Sequence, residues 1–308
     1  MPRIPRLLVQ GEEAVYHVIS RTALEGFVLE PEEKQYLLFL MQWLSRVFFV
    51  EVYGFCIMDN HFHMLLKIRP QDHYSDEDVL KRARLYYRYM ETKKKVNIHE
   101  IDRFRKKFSG LSEYVKEIKQ RFSRYYNKKH GRRGYFWGER FKSVLIEEGE
   151  SLLNCLAYIE LNPVRAGIVE RPEDYRWCSL GYHVQSGNRG GFLSTELCLK
   201  EFCNSGGSRD WLRLLREYVY EKGGIKNNKG KEMKKAILDE ERKRMYRLPR
   251  HELFLKRIRY FTDSGILGSK AFVRRWYKEF RDYFTSKDKI PKKIPGICGM
   301  YSLKRLQT

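Results

Sequence analysis

The apolar and polar positions of the first 180 residues read as alternating strands and helices. Residues 14–21 (AVYHVISR) suggest a strand. Residues 31–47 (PEEKQYLLFLMQWLSRV) open with a proline and two glutamates and continue apolar-rich, which is how a helix begins. Residues 48–57 and 61–68 read as two strands joined by the short turn Met58-Asp59-Asn60. A charged helical stretch follows at about 76–95, then a basic amphipathic helix over 111–130. Residues 134–147 read as a loop running into a strand. A helix over 150–161 is expected to end at Asn162-Pro163, where proline blocks its continuation.

Residues 185–208 change character, with QSGNRGG and NSGGS giving turn and linker chemistry. Beyond them, 211–221, 231–246, 250–261 and 269–284 read as short helices, with a basic loop at 223–231. No internal repeat of fixed period is present. Strands mixed with helices, two of the strands directly connected, favour an antiparallel α+β sandwich over a parallel doubly wound sheet. The expected organisation is an α+β domain over 1–185, a linker over 186–208 and a mostly helical, basic C-terminal domain over 209–308. Residues 250–261 and 269–284 flank a turn at 262–269 and could form a helix-turn-helix. A basic helical packing unit without base contacts fits the same pattern.

Charge changes the picture from fold to partner. The 308 residues carry 61 Lys+Arg against 39 Asp+Glu, a net charge of +22. Residues 201–308 hold an excess of +15, and residues 103–142 hold 14 basic and 3 acidic residues. Such an imbalance points to a polyanion, either nucleic acid or an anionic surface. Apolar runs fall short of the ~20 residues a membrane span needs, so no membrane-spanning role is expected. The first residues have no long apolar segment of the secretory kind. Six cysteines without a CxxC pair disfavour a disulfide scaffold or zinc ribbon and fit a reducing cytoplasm.

Two segments could carry chemistry. In Asn60-His61-Phe62-His63-Met64, strand alternation puts His61 and His63 on one face, ~7 Å apart along the backbone, with Phe62 and Met64 toward a core. Two imidazoles on one face can converge on a divalent ion. An isolated His-x-His pair is more often a turn cap and a packed ring. In Tyr158-Ile159-Glu160-Leu161-Asn162, Tyr158 and Asn162 are four apart and share a helix face, about 6 Å along the axis. A phenol is a nucleophile and an amide oxygen a hard-metal ligand. By themselves they equally describe a core aromatic and a helix-capping amide.

Together, and in this order and spacing, Tyr16-His17-Val18-Ile19-Ser20-Arg21, Asn60-His61-Phe62-His63 and Tyr158-Ile159-Glu160-Leu161-Asn162-Pro163-Val164-Arg165-Ala166-Gly167 resemble the single-tyrosine HUH transposases, including the REP-associated tyrosine transposases. The resemblance covers residues 13 to about 183. One departure is Asp59, where relatives usually carry proline. The resemblance implies a ferredoxin-like, RRM-like antiparallel sheet with the histidine strand central. It implies Mg²⁺ or Mn²⁺ held by His61, His63 and Asn162, and Tyr158 as the nucleophile. The implied reaction is cleavage and rejoining of single-stranded DNA through a 5′-phosphotyrosine, at hairpin-bearing, REP-like sites, in transposition or a domesticated descendant of it. Whether such a protein works as a monomer or a homodimer stays open.

Arg121, Arg124, Lys128, Arg132, Arg133, Arg140 and Lys142, interleaved with Phe136 and Trp137, have the composition of a groove that follows a phosphate backbone and stacks bases. The same residues would suit a solvated basic helix with Phe136 and Trp137 in the core. Arg165 could reach a phosphate, although a basic residue also suits a helix C-terminus. The alternative function is a non-catalytic binder of single-stranded DNA or structured RNA on the same fold. It would have no need of the His-His-Asn-Tyr set.

Overall fold

The computed structural model describes residues 6–90, 96–169, 172–188, 191–197, 211–223, 264–284, 290–293 and 299–304. The chain divides into two compact units. One comprises Leu8–Lys142 with Asn188–Ser194 and is called here the histidine unit. The other comprises Met1–Leu7, Ser143–Gly187 and Thr195–Thr308 and is called the tyrosine unit.

The histidine unit is built on β1 (Ala14–Arg21), α1 (Pro31–Val47), β2 (Val50–Ile57) and β3 (His61–Ile68). The strands lie in the order β2-β3-β1, all antiparallel, so β3 is central among the three. Strand alternation sends Phe62, Met64 and Leu66 to one face, where all three are fully buried. In α1, Leu37, Leu40, Met41 and Leu44 form a stripe at helical spacing and are fully buried. α4 (Leu111–Lys129) buries Tyr114, Val115, Ile118 and Phe122 in the same manner, leaving its charged positions outside. The two helices are tied by Tyr114, whose hydroxyl donates to Met41 O at 3.0 Å, and by Tyr36 stacked on Tyr125 at 3.9 Å. Phe122 also meets Phe136 and Trp137, at 5.0 and 5.5 Å between centroids, and its truncation to alanine would cost about 3–5 kcal/mol.

The charged stretch after β3 forms α2 (Asp76–Tyr89), begun by a capping box between Ser75 and Asp78. The sequence pattern assigns no element to residues 98–108. They form a short turn and α3 (Ile101–Phe108), which buries Ile101, Phe104 and Phe108. Part of the expected linker is also structured. Ser194 N donates to Val52 O at 2.8 Å, and Phe192 and Leu193 are buried, so this segment extends the β2 edge.

The tyrosine unit contains β4 (Lys142–Ile146), α5 (Glu150–Glu160), α6 (Asn162–Arg165), α7 (Ser179–Ser186), α8 (Trp211–Gly223), β5 (Ser264–Gly268), α9 (Lys270–Glu279), β6 (Lys292–Lys293) and β7 (Tyr301–Lys304). Its strands run in the order β4-β5-β7-β6. β4 and β5 are parallel and the other pairs antiparallel, so α+β is correct but a purely antiparallel sheet is not. Described residues beyond 209 take part in this unit. Leu145 and Ile146 pair with Ile266 and Leu267, and the Tyr218 hydroxyl donates to Asn154 Oδ1 at 3.0 Å. The tail therefore supplies sheet and helix to the unit that holds the tyrosine.

The helix-turn-helix expectation is corrected too. Ser264–Gly268, expected as turn, is a fully buried strand, and only the following helix forms, capped by Ser269. The expected helices at 231–246 and 250–261 lie outside the described residues. Within the unit, Gly181 is demanded by packing. A Cβ there would sit 2.0 Å from Tyr175 O.

Candidate active site

The histidine face of β3 is organised by its turn and by its neighbour β1. Met58 N donates to His61 O at 2.8 Å, closing the hairpin. Asp59, the departure from proline, forms an ion pair with the buried Lys34 of α1 at 2.5 Å, and its carbonyl accepts from Leu29 N at 2.8 Å. The aspartate thus holds the turn to the helix by charge. His61 and His63 then lie with ring centroids 5.0 Å apart.

Each ring is oriented by a second residue. His61 Nδ1 is 2.7 Å from Asn60 Oδ1, which can only accept, so Nδ1 carries the proton and Nε2 carries the lone pair. Burial, and then the charge of Arg21 opposite in register, push the His61 pKa down to about 4. It is therefore a neutral imidazole at physiological pH, which is the form that binds metal. His63 Nδ1 lies 2.9 Å from His17 Nε2, and the two rings stack at 5.1 Å. His17 is reached diagonally across the β1–β3 ladder, since His63 pairs with Ile19. The sequence places His17 only in a neighbouring strand. Its contact depends on register, which no local pattern displays.

Among the described residues no group of three or more His, Cys, Asp or Glu side chains gathers into a metal cage. The donor set on β3 is two imidazoles. It fits a divalent ion whose remaining positions are filled by oxygen from amide, phosphate or water.

In the tyrosine unit the expected site residues Tyr158 and Asn162 lie at the junction of α5 and α6. Every residue from Ser151 to Glu160 is buried, Tyr158 among them. α5 stops at Glu160, within a residue of the expected end before Asn162-Pro163. Leu161 stays in the helical region and α6 follows at once, because proline is tolerated in the first turn of a helix. Pro163 has no N–H for Ile159 O. Asn162 compensates by donating Nδ2 to Ile159 O at 3.2 Å and to Tyr158 O at 2.9 Å. This leaves Oδ1 as the acceptor atom of the amide. Arg165 donates to Tyr158 O at 3.1 Å and holds its guanidinium 5.0 Å from the Tyr158 ring centroid. Burial lowers the Arg165 pKa to about 10, and interaction with Tyr158 opposes that fall. Gly167, at φ +71, ends the turn with its N–H on Val164 O at 2.9 Å.

At the end of α5, Glu160 is fully buried and accepts from Ser179 Oγ and, at 2.9 Å, from Leu180 N. Burial pushes its carboxyl up to about 7, against those hydrogen bonds.

The expected DNA-contacting residues divide into two sets. Arg124, Lys128, Arg133, Arg140 and Lys142 are exposed and Arg132 is half-buried, so all six can meet a backbone. Arg121 is held internally by Glu117 at 3.0 Å and lies over the Trp43 and Tyr86 rings. Phe136 and Trp137 are buried against Phe122, with Phe62 a further 5.4 Å from Trp137, and Trp137 Nε1 donates to Lys119 O at 3.0 Å. Their faces belong to the core, which corrects the expectation that they stack on bases. The aromatic available for stacking is the adjacent Tyr135, 90% exposed.

β3 of this α+β protein thus carries a pair of histidines oriented by Asn60 and by His17. Residues 11–77, which include the whole of β3, match the family described as transposase IS200 like. The chain is also similar to a solved structure of the REP-associated tyrosine transposase bound to a REP hairpin, at 15% identity and a TM-score of 0.41, over 68% of this chain and 96% of that one. Comparison with curated proteins found no match. No helix among the described residues is long and apolar enough to cross a membrane.

Proposed function

We propose that this chain is a single-stranded DNA endonuclease and strand transferase, dependent on Mg²⁺ or Mn²⁺, that works through a covalent 5′-phosphotyrosine. DNA binding and transposase-type function are supported by the family match over residues 11–77. The observation that carries the finer reading is the state of His61, a neutral ring whose Nδ1 is committed to Asn60 and whose Nε2 is therefore a ligand. His61 and His63 would hold the ion, with Asn162 contributing Oδ1. When bound, a divalent ion supplies positive charge to a non-bridging oxygen of the scissile phosphate.

Tyr158 is the nucleophile. Its oxygen attacks phosphorus and its proton passes to solvent. The bond from phosphorus to the 3′-oxygen breaks, and that oxygen takes up a proton to leave as a 3′-hydroxyl. The phosphodiester energy is retained in the tyrosyl ester, so the 3′-hydroxyl of another strand can reverse the step without ATP. Arg165 positions the nucleophile through the Tyr158 carbonyl and places positive charge over a ring that becomes negative in attack. Arg124, Lys128, Arg132, Arg133, Arg140 and Lys142 follow the backbone of a single-stranded or hairpin substrate.

The test is a hairpin-bearing oligonucleotide labelled on the 3′ side of the cut and incubated with Mn²⁺. A labelled protein band on a denaturing gel, absent with Tyr158→Phe, is expected. DNA binding without cleavage would leave the non-catalytic reading in its place. Cleavage with no adduct, retained in Tyr158→Phe, would assign the chemistry to an activated water.

A further inference from the structure

The charged segment after β3 builds a groove that the proposed chemistry does not use. It has a volume of about 460 Å³ and lies between the C-terminal end of α1 and the outer side of α2. Arg46, Lys81, Arg84 and Arg88 line it, all four exposed. Among the described residues none of the four is engaged in an ion pair. Lys81, Arg84 and Arg88 stand at i, i+3 and i+7, one stripe of α2 about 10 Å long.

The groove is held rigidly. Arg82 donates to the α1 terminal carbonyls of Arg46 and Phe48, at 3.2 and 2.6 Å, and stacks its guanidinium over Phe49 at 4.5 Å. Asp78, the lining acid, is committed to the capping box with Ser75. The neighbouring cations Lys67 and Arg69 are paired with Glu13 and Glu51.

Its position within the histidine unit can be measured along β3. His61 begins that strand and Ile68 ends it, a separation of about 23 Å for seven strand steps. Ile68 pairs with Val50, and Val50 follows the Phe48 carbonyl that Arg82 holds. The groove therefore lies at the far end of the sheet from the histidines. In duplex DNA the same distance is about seven base pairs, at 3.4 Å per pair.

We infer that this groove is a second phosphate-binding site that grips the backbone of the double-stranded stem of the DNA substrate about seven base pairs from the cut. The inference rests on the reading of the protein as a DNA-acting enzyme, and it assigns to the segment after β3 the task of measuring stem length. Four cations on a rigid frame, with no aromatic among the lining residues and no acid left uncommitted, suit a duplex backbone better than unpaired bases.

The test compares the full chain with the variant Arg46→Gln/Lys81→Gln/Arg84→Gln/Arg88→Gln, with Arg82 left intact. Fluorescent DNA hairpins with stems of about four and about twelve base pairs are titrated at several salt concentrations, the lengths bracketing the spacing derived above. The unmodified protein is expected to bind the long stem at least tenfold more tightly than the short one, and the variant to bind both alike. On the long stem, the slope of log K against log salt should fall by about 0.9 for each phosphate no longer neutralised, so by roughly 2 to 4. Adduct formation at saturating DNA should be unchanged. Single substitutions such as Arg84→Gln, expected to lower the slope by about 0.9, keep the test decisive should the quadruple variant fold poorly. Equal slopes and equal stem-length dependence in both proteins would overturn the site. Tighter, groove-dependent binding of an RNA hairpin of the same sequence would overturn its assignment to DNA. Absence of any adduct in either protein, with stem-length dependence intact, would reject the endonuclease reading and leave the groove standing.

Discussion

The histidine unit and the tyrosine unit assemble their chemistry in opposite ways. The histidines come from one short stretch of chain, where a turn and strand alternation suffice to put two rings on one face. Their partners Asn60 and His17 are one residue away and one strand away. The tyrosine sits on a wholly buried helix, in a unit whose sheet joins residues near 145 to residues near 266 and 302. A pair of histidines on one face can thus be specified locally, whereas the setting of a buried tyrosine depends on chain far away in sequence.

The comparison is broken most severely by truncation. Ending the chain near residue 206 removes β5, β7 and α8, leaving β4 without its parallel partner and Asn154 without Tyr218. We expect loss of soluble, cooperatively folded tyrosine unit, measured by limited proteolysis and thermal unfolding. A truncated protein that melts like the full chain would restore the independent C-terminal domain.

Tyr158→Phe is expected to abolish the covalent adduct while leaving DNA affinity within about tenfold, since it deletes one hydroxyl and keeps the ring. Residual nicking by this variant would remove Tyr158 from its role.

His61→Ala and His63→Ala should each weaken Mn²⁺ binding more than Asn162→Ala, because imidazole outranks an amide oxygen as a ligand for a first-row ion. His17→Phe, which keeps a ring but no nitrogen, should cost about 10–100-fold in metal affinity through the lost orientation of His63. Calorimetric titration with Mn²⁺ checks all four. Since the His61 pKa lies near 4, protonation of this ring should leave binding intact from pH 7 down to about 5 and weaken it as the pH falls through about 4. Failure already at pH 6.5 would mean that His61 is not the neutral ligand described.

Glu160 sharpens the contrast, for it is a buried carboxyl with its pKa raised to about 7 from 4.5. Between those values the unfolded chain has lost the proton that the folded chain keeps. Stability from this group therefore falls as pH rises from about 4.5 to 7 and is constant above, a change of about 3 kcal/mol. Glu160→Gln should flatten that part of the curve in denaturant titrations. An equally steep fall in the variant would place the titration elsewhere.

The smallest expected effect belongs to Asp59→Ala. It frees Lys34 from its ion pair and should cost about 1–3 kcal/mol, readable as a shift in the urea midpoint. An unchanged midpoint would show that the turn is held by its backbone hydrogen bonds alone.

Much of this was legible in the sequence because period and punctuation are local. The strands at 14–21 and 61–68, the helix from Pro31 and the amphipathic helix after Leu111 were found within a residue or two. Pro163 marked the end of α5 to within a residue, although α6 follows at once because proline is tolerated in the first turn of a helix. Phe136 and Trp137 misled, because an aromatic beside arginines has the same composition whether it stacks on a base or packs on Phe122.

The sequence by itself determined the residue types, their order and the shared faces of His61 with His63 and of Tyr158 with Asn162. These follow from repeats of 2 and 3.6 residues and need no knowledge of distant chain. Only the tertiary structure decided that His17 orients His63, that Arg165 covers Tyr158, and that β5 completes the sheet beside β4. It also decided that Arg82 spends its charge on the end of α1 while Arg84 makes no ion pair among the described residues. The reason is that pairing register and burial are properties of contacts between segments, and one local pattern is compatible with many such contacts.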